Sequence, residues 1–331
     1  MRVLVTGGAG FIGANLCRAL TAREEVEKVT VLDDLSTGNL ANLDGVEVDF
    51  VKGSILEDDL LATLVADAGA VVHLAARPSV PRSLEDPLAS HTVNATGTLN
   101  LLEACRATKP HVIVASSSSV YGDAQEPHKH EDLPLRPLSP YGASKVATEA
   151  YALAYGRSFS LPVLAFRFFN VYGPLQSADH AYAAVVPTFV SMALRGRPVP
   201  IYGDGNQARD FTYVGSVAEV LVEAINRMAT NTKPVNLAFG TRVTLRHLKD
   251  VLSEVLGRPI EVTFLPPRIG DIRESQASPH LLRHLFPTVR PVQLDEGLRA
   301  TVAWFEQAAV SRPSAHVDLP LPPTNKTFPH M

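Results

Sequence analysis

The run Gly7-Gly8-Ala9-Gly10-Phe11-Ile12-Gly13 stands between the apolar stretch Val3–Val5 and a segment whose apolar residues keep helical spacing as far as Leu20. Glycines in that place mean a backbone that turns sharply, approaches another group closely and packs a helix tightly on a strand. The start of the helix then offers unpaired N–H groups and a partial positive charge, which is the chemistry of a phosphate site. Twenty residues past Gly13, Asp33 closes the next β-rich run, Val29–Leu32. A carboxylate there accepts hydrogen bonds from the adenosine ribose hydroxyls and repels a 2′-phosphate. No Lys or Arg lies between Lys28 and Lys52 to pair with such a phosphate. The pattern therefore predicts NAD as cofactor in preference to NADP, and Asp34 reads as a solvated turn acid.

The rest of the first half continues the rhythm. Strands are expected at Val3–Val5, Val29–Leu32, Val46–Val51, Ala70–Leu74, His111–Ala115 and Pro162–Phe166. Helices are expected near Phe11–Leu20, Glu57–Val65, Asn94–Ala107 and Pro140–Tyr155. Continuous apolar strands separated by helices predict an α/β fold whose parallel sheet is covered on both faces. Leu99, Leu102 and Ala104 read as core or interface. After about residue 167 proline-rich turns such as Gly196-Arg-Pro-Val-Pro200 break the rhythm. The expected division is a cofactor domain over 1–167, a smaller region over 168–310 that returns to the main sheet, and a flexible Pro-rich tail over 311–331.

Composition removes other classes. The 331 residues carry 30 Lys+Arg against 34 Asp+Glu, a net charge of −4, so no basic footprint for nucleic acid exists. No apolar run approaches the ~20 residues of a membrane span. Two cysteines, Cys17 and Cys105, cannot form a disulfide framework, which fits a reducing cytoplasm. The eleven His are scattered, and His128 and His130 lie in a polar loop without partners at ligand spacing, so no metal site is expected.

Ser139-Pro140-Tyr141-Gly142-Ala143-Ser144-Lys145 reads as a helix start, with Ser139 as N-cap and Pro140 in the first position. Tyr141 and Lys145 then share one face. A tyrosine acts as a base near neutrality only if its pKa of about 10 falls by ~3 pH units, worth ~4 kcal/mol. A positive charge at ~4 Å supplies roughly that much at an effective dielectric of about 20. Lys145 is one such charge, and an oxidised nicotinamide would be another. Upstream, Val112–Ala115 runs into Ser116-Ser117-Ser118-Ser119-Val120-Tyr121-Gly122. Hydroxyls at the carboxyl end of a strand stand where open α/β sheets bind ligands. The physics of the sequence does not choose among the four serines.

Together GGAGFIG, Asp33, HLAA (His73–Ala76), SSSSVYG, YGASK and RFFNVYGP (Arg167–Pro174) resemble the extended short-chain dehydrogenase/reductases, and among them the NAD-dependent sugar-nucleotide 4-epimerases. The resemblance spans roughly residues 1–308. It implies a Rossmann-like doubly wound parallel sheet with a smaller C-terminal substrate-binding region. It also implies inversion at C4 of a UDP-hexose through a transient 4-keto sugar, and dimerisation through helices matching Pro87–Ala107 and Pro140–Tyr155.

By the same resemblance, Ser117 is the catalytic hydroxyl, Tyr141 the base and Lys145 its electrostatic partner. The cofactor should contact Gly7, Gly10, Phe11, Ile12, Gly13, Asp33, Ser36, Thr37, Gly38, Ser54 and Ile55 on its adenosine diphosphate side. On the nicotinamide side it should contact Leu74, Ala75, Ala76, Asn94, Tyr141, Lys145 and Phe168. An acid commonly stands where this chain has Ser54, so the contact to the adenine amino group is weakened. The resemblance puts the sugar near Ser79, Ser117 and Tyr141, a phosphate or sugar oxygen on Asn170, the uracil between Val185, Ile201 and Tyr202, the diphosphate on Arg209 and Arg268, and the uridine ribose on Asp271. Forked guanidinium groups suit a diphosphate.

Ser118 and Ser119 occupy the positions where related 4,6-dehydratases carry an Asp-Glu pair, which argues against elimination of water. A non-catalytic NAD sensor would have no use for the Tyr–Lys pair. A small Ser275, where hexose-restricted relatives often have Tyr, leaves room for UDP-N-acetylglucosamine beside UDP-glucose and UDP-galactose. Arg77 and Arg82, in the loop after the fourth strand, keep UDP-glucuronic acid as the alternative substrate.

Overall fold

The computed structural model of the chain describes residues 1–178, 183–267 and 273–311. Its central sheet has seven strands: β1 (Arg2–Thr6), β2 (Lys28–Asp33), β3 (Asp49–Lys52), β4 (Ala70–His73), β5 (His111–Ser117), β6 (Val163–Phe168) and β7 (Val235–Leu237). They lie in the order β7-β6-β5-β4-β1-β2-β3, and every adjacent pair is parallel. The chain starts mid-sheet, winds outward to β3, then crosses back to lay β4 on the other side of β1. The carboxyl ends of β1 and β4 thus flank a topological switch point, where ligands bind in sheets of this kind.

Helices cover both faces. The strands' Val and Leu side chains pack on one face against α1 (Phe11–Thr21) and α5 (Val214–Asn226). On the other face they pack against α2 (Asp58–Ala66), α3 (Gly97–Thr108) and α4 (Pro140–Phe159). Leu102 is fully buried in this cluster, and Leu99 and Ala104 pack, partly buried, against the same cluster. Between their ends these strands bury mainly Val, Leu, Ile and Ala, which is why they read as apolar runs, while buried polar residues such as Thr6, His73, Ser116 and Arg167 gather toward their carboxyl ends.

The observed elements depart most from the expected ones in two places. The third strand begins at Asp49 and not at Val46, because a 3₁₀ turn at Leu40–Leu43 and Gly45, at φ +71°, delay its entry into the sheet. The segment expected as one helix over Asn94–Ala107 is preceded by a π-turn at Thr92–Thr96, and α3 proper starts at Gly97. Residue 167 lies inside β6, and α5 and β7 join the main sheet from beyond it, the kind of return expected of the smaller region.

The smaller region is built on the helices Val185–Leu194, Leu245–Leu256 and Leu294–Ser311 around an apolar cluster of its own. Two short parallel pairs, Asn170–Tyr172 with Phe211–Tyr213 and Val199–Tyr202 with Val262–Leu265, frame it. Ala208–Arg209 lies between Val243–Thr244 and Glu274–Ala277. Among the described residues no helix is long and apolar enough to cross a membrane.

Candidate active site

A cleft of about 1510 Å³ opens over the carboxyl ends of β1, β4 and β5. Gly7 sits at φ +72°, and a Cβ on it would lie 2.6 Å from the Ala75 amide nitrogen. A Cβ at Gly13 would overlap the Gly7 carbonyl oxygen. Only glycine lets the β1–α1 turn, the β4 end and the first turn of α1 meet this closely. Gly10 is the N-cap of α1 and has no side chain to cap it, so the N–H groups of the first turn face the cleft without a competing acid. The result is a cradle for phosphate.

Asp33 ends β2 at the rim. One carboxylate oxygen accepts the Ala9 N–H at 2.9 Å and the other accepts the Leu35 N–H at 2.8 Å. Burial pushes its pKa up, and these two N–H bonds oppose the rise. An ionised carboxylate has about four acceptor positions, so two remain for ribose hydroxyls. The donor set, an open helix N-terminus beside an acid that would repel a 2′-phosphate, fits NAD. Asp34 is the turn acid, accepting the Ser36 N–H at 2.9 Å.

Tyr141 lies one residue into α4, whose N-cap Ser139 accepts the Gly142 N–H at 3.1 Å. Its hydroxyl hydrogen-bonds with Ser117, the last residue of β5. Ser119 donates to the same Ser117 oxygen from its hydroxyl at 3.0 Å and from its backbone N–H at 3.2 Å. Among the four serines, Ser117 is therefore the one bonded to Tyr141. Ser116 points elsewhere, donating to Glu149 at 2.9 Å. Lys145 is buried one helical turn beyond Tyr141, and its ammonium donates to the Ala115 carbonyl at 2.8 Å.

One electrostatic expectation needs correction. Burial pushes Tyr141 up, the Ser117 hydrogen bond opposes it, and Lys145 exerts no resolved pull. Lys145 itself is lowered to about 8 because burial disfavours its charge. The pair alone does not supply the depression that a tyrosine base requires.

The expected cofactor residues line this cleft, from Gly7, Gly10, Phe11, Ile12 and Gly13 through Asp33, Ser36, Thr37, Ser54 and Ile55 to Leu74, Ala75, Ala76, Tyr141, Lys145 and Phe168. Two do not. Gly38 lies against Asp33, where a Cβ would come within 2.9 Å of Oδ1. Asn94, 1% exposed, sits behind the wall with its amide already used. Its oxygen accepts the Arg77 N–H at 2.7 Å, and its nitrogen donates to the Arg77 carbonyl at 3.2 Å and to Ser144 at 2.9 Å. Asn94 shapes the loop that borders the cleft without presenting a free group to it. The Ser54 hydroxyl is likewise engaged in its own turn, accepting the Leu56 N–H at 3.2 Å.

Of the expected substrate residues, Ser79, Ser117 and Tyr141 line the cleft. Ser79 holds φ +95°, uncommon for an L residue, and caps the helix Val80–Glu85. Arg82 also lines the cleft, whereas Arg77 pairs with Asp86 at 3.5 Å. Arg209 and Ser275 are register partners on adjacent strands, and the Asn170 amide donates to the Asp210 carbonyl at 3.4 Å. Val185 opens its helix and Tyr202 is half-buried. Ile201 is corrected: at 1% exposure its side chain belongs to the apolar core, leaving only its backbone for a ligand. Arg268 and Asp271 lie outside the described residues.

Sequence reasoning missed several contributors. Asn42 donates to the Ala9 carbonyl at 2.9 Å and so braces the glycine turn from below. His73 bridges Thr6 at 2.8 Å and Thr98 at 3.0 Å, and burial lowers its pKa to about 3, so it is neutral and structural. Trp304 and Phe305, on the helix Leu294–Ser311, form part of the cleft wall. Nothing local marks Trp304 or Phe305, because only the tertiary fold brings that helix to the cleft.

The architecture and this cleft define a Rossmann-type dinucleotide enzyme. The chain matches the NAD dependent epimerase/dehydratase family over residues 3–238, and it belongs to that family. It is 39% identical over 312 residues to a UDP-glucose 4-epimerase of Mycolicibacterium smegmatis, covering 92% of this chain and 98% of that protein. Among solved structures it resembles a UDP-N-acetylglucosamine 4-epimerase from Methanobrevibacter ruminantium M1 in complex with UDP-N-acetylmuramic acid. That match has a TM-score of 0.87 at 37% identity, covering 93% of this chain and 98% of the other. It also resembles the UDP-glucuronic acid 4-epimerase from Bacillus cereus with UDP-glucuronic acid and NAD, at TM-score 0.83 and 32% identity, over 93% and 100% of the two chains.

Proposed function

We propose that this protein is an NAD-dependent UDP-sugar 4-epimerase, an isomerase that inverts C4 of a UDP-hexose. The observation that carries the reading is the Ser117–Tyr141 hydrogen bond in the same cleft as the glycine turn, Lys145 and Asp33. Tyr141 takes the proton of the sugar 4-hydroxyl, with Ser117 bridging the two oxygens. NAD, when bound, supplies the hydride acceptor at C4, a positive charge beside Tyr141 and the hydride that returns to the opposite face. Lys145, held by the Ala115 carbonyl, adds charge only while protonated, below a pKa of about 8.

Inversion requires a firmly held nucleotide and a loosely held sugar. In this reading Arg209 grips the diphosphate, with Arg268 and Asp271 as further anchors, while the Ser79–Arg82 loop and Ser275 border the sugar. UDP-glucose and UDP-galactose are the proposed substrates, with UDP-N-acetylglucosamine admitted by the small Ser275. Arg82 in the cleft wall favours a second reading, UDP-glucuronic acid, whose carboxylate it would meet. Assaying the three sugars side by side discriminates: a preference for the glucuronate that is lost in Arg82→Gln selects the second reading, and conversion of none overturns both.

We also infer a homodimer in a reducing cytoplasm. Leu84, Leu88, Leu138 and Tyr151 are exposed apolar side chains on or beside the helices Val80–Glu85, Pro87–His91 and α4, and Leu88 is 80% exposed. Cys17 and Cys105 are free and buried, which supports the compartment.

A further inference from the structure

Helix α4 buries an unusual face. Ser144, Lys145, Thr148 and Glu149 are among its buried residues, each at 5% exposure or less. Apolar packing is non-directional and tolerates a small rotation of a helix, whereas hydrogen bonds fix distance and angle. The azimuth of this helix, and hence the aim of Tyr141, rests on polar bonds.

Glu149 makes the strongest of them. It lies eight residues after Tyr141 and four after Lys145, on the same helical face. One carboxylate oxygen accepts Arg167 Nη2 at 2.6 Å, and the other accepts Arg167 Nε at 2.8 Å and the Ser116 hydroxyl at 2.9 Å. Ser116 and Arg167 are register partners on β5 and β6, and the next pair along is Ser117 with Phe168. Arg167 is fixed in turn, donating to the Tyr121 hydroxyl at 2.9 Å, which donates to Asn236 on β7 at 2.6 Å. One carboxylate therefore locks α4 to two strands, at the residue before Ser117.

We propose that Glu149 is a positioning residue: through Ser116 and Arg167 it sets the rotation of α4 that brings the Tyr141 hydroxyl onto Ser117. It is buried behind Ser116 and does not line the cleft. The inference rests on the epimerase reading above for its kinetic readout only.

Two variants test it. Ser116→Ala removes the hydroxyl's bond to Glu149, together with its longer one to the Lys145 carbonyl at 3.5 Å, and leaves the Glu149–Arg167 pair in place. Glu149→Asp keeps the charge, but with one methylene fewer it cannot hold both partners. The expected result is a kcat about fivefold lower in Ser116→Ala and about 10²-fold lower in Glu149→Asp, with KM within twofold of the parent. The Tyr141 titration, isolated as the ultraviolet difference between each protein and its Tyr141→Phe version, should move to higher pH in both. If both variants lose thermal stability while kcat and the Tyr141 titration stay unchanged, the role is structural and the proposal is overturned. Should Glu149→Asp not fold, Ser116→Ala decides alone. The titration needs no substrate, so a parent that inverts no sugar refutes the epimerase reading and leaves this test standing.

Discussion

Asp33 shows how much chemistry one side chain carries here, since it braces the glycine turn through Ala9 and still offers acceptors to a ribose. Hydrogen bonds to a charged group contribute about 1.5–3 kcal/mol. Asp33→Ser should therefore weaken NAD binding by roughly 10- to 100-fold and narrow its margin over NADP. The single tryptophan, Trp304, lies in the cleft wall, so its fluorescence should change on binding and a cofactor titration of both proteins would follow it. Tyr141→Phe removes the base alone: kcat should fall by about 10² to 10⁴ with KM little changed, measured by conversion of the preferred UDP-sugar. Residues of this kind were legible because each has a required chemistry at a required spacing. The Tyr141 electrostatics were not, because a four-residue spacing places Lys145 on the right face but says nothing of the Ala115 carbonyl that takes its ammonium.

Among the elements, the glycine turn was read correctly because steric exclusion is local. Gly13→Ala would force a methyl into the Gly7 carbonyl, so we expect a loss of about 1–3 kcal/mol in stability and of cofactor retention, checked by denaturant melts and by cofactor content after purification. The π-turn at Thr92–Thr96 could not be read, since it exists to turn Asn94 toward Arg77 and Ser144, partners 17 and 50 residues away. Asp210 is similar. It lies between the strands Ala208–Arg209 and Phe211–Tyr213, and its carboxylate accepts N–H groups from Gly240 at 3.0 Å and Ala277 at 3.1 Å and the Thr241 hydroxyl at 2.8 Å. Burial raises its pKa from 3.8 to about 6 despite these donors. The folded state then holds this proton more tightly than the unfolded chain. The contribution is full below pH 3.8 and disappears as pH rises to about 6, roughly 3 kcal/mol at ~1.4 kcal/mol per pH unit. Asp210→Asn should flatten the dependence of the melting temperature on pH between about 4 and 6, and an unchanged slope would contradict this assignment.

At the scale of the whole molecule, the parallel sheet, the switch point and the cofactor cleft followed from alternating apolar runs and one glycine motif. A smaller region after the sheet was expected, but its strand pairings did not follow, because they are specified by contacts with distant segments: Arg209 with Ser275, or Val199–Tyr202 with Val262–Leu265. Leu88→Glu tests the inferred dimer, and sedimentation should find the variant monomeric at concentrations where the parent is dimeric. The central claim is that hydrogen leaves C4 and returns to the same carbon on its other face, with Tyr141 handling only the hydroxyl proton. Incubating the purified protein with a UDP-hexose deuterated at C4, in ordinary water, tests this directly by nuclear magnetic resonance. The account predicts a C4-inverted product that keeps its deuterium, formed by the parent and not by Tyr141→Phe. Washout of the label, a dehydrated product or equal conversion by both proteins would contradict it.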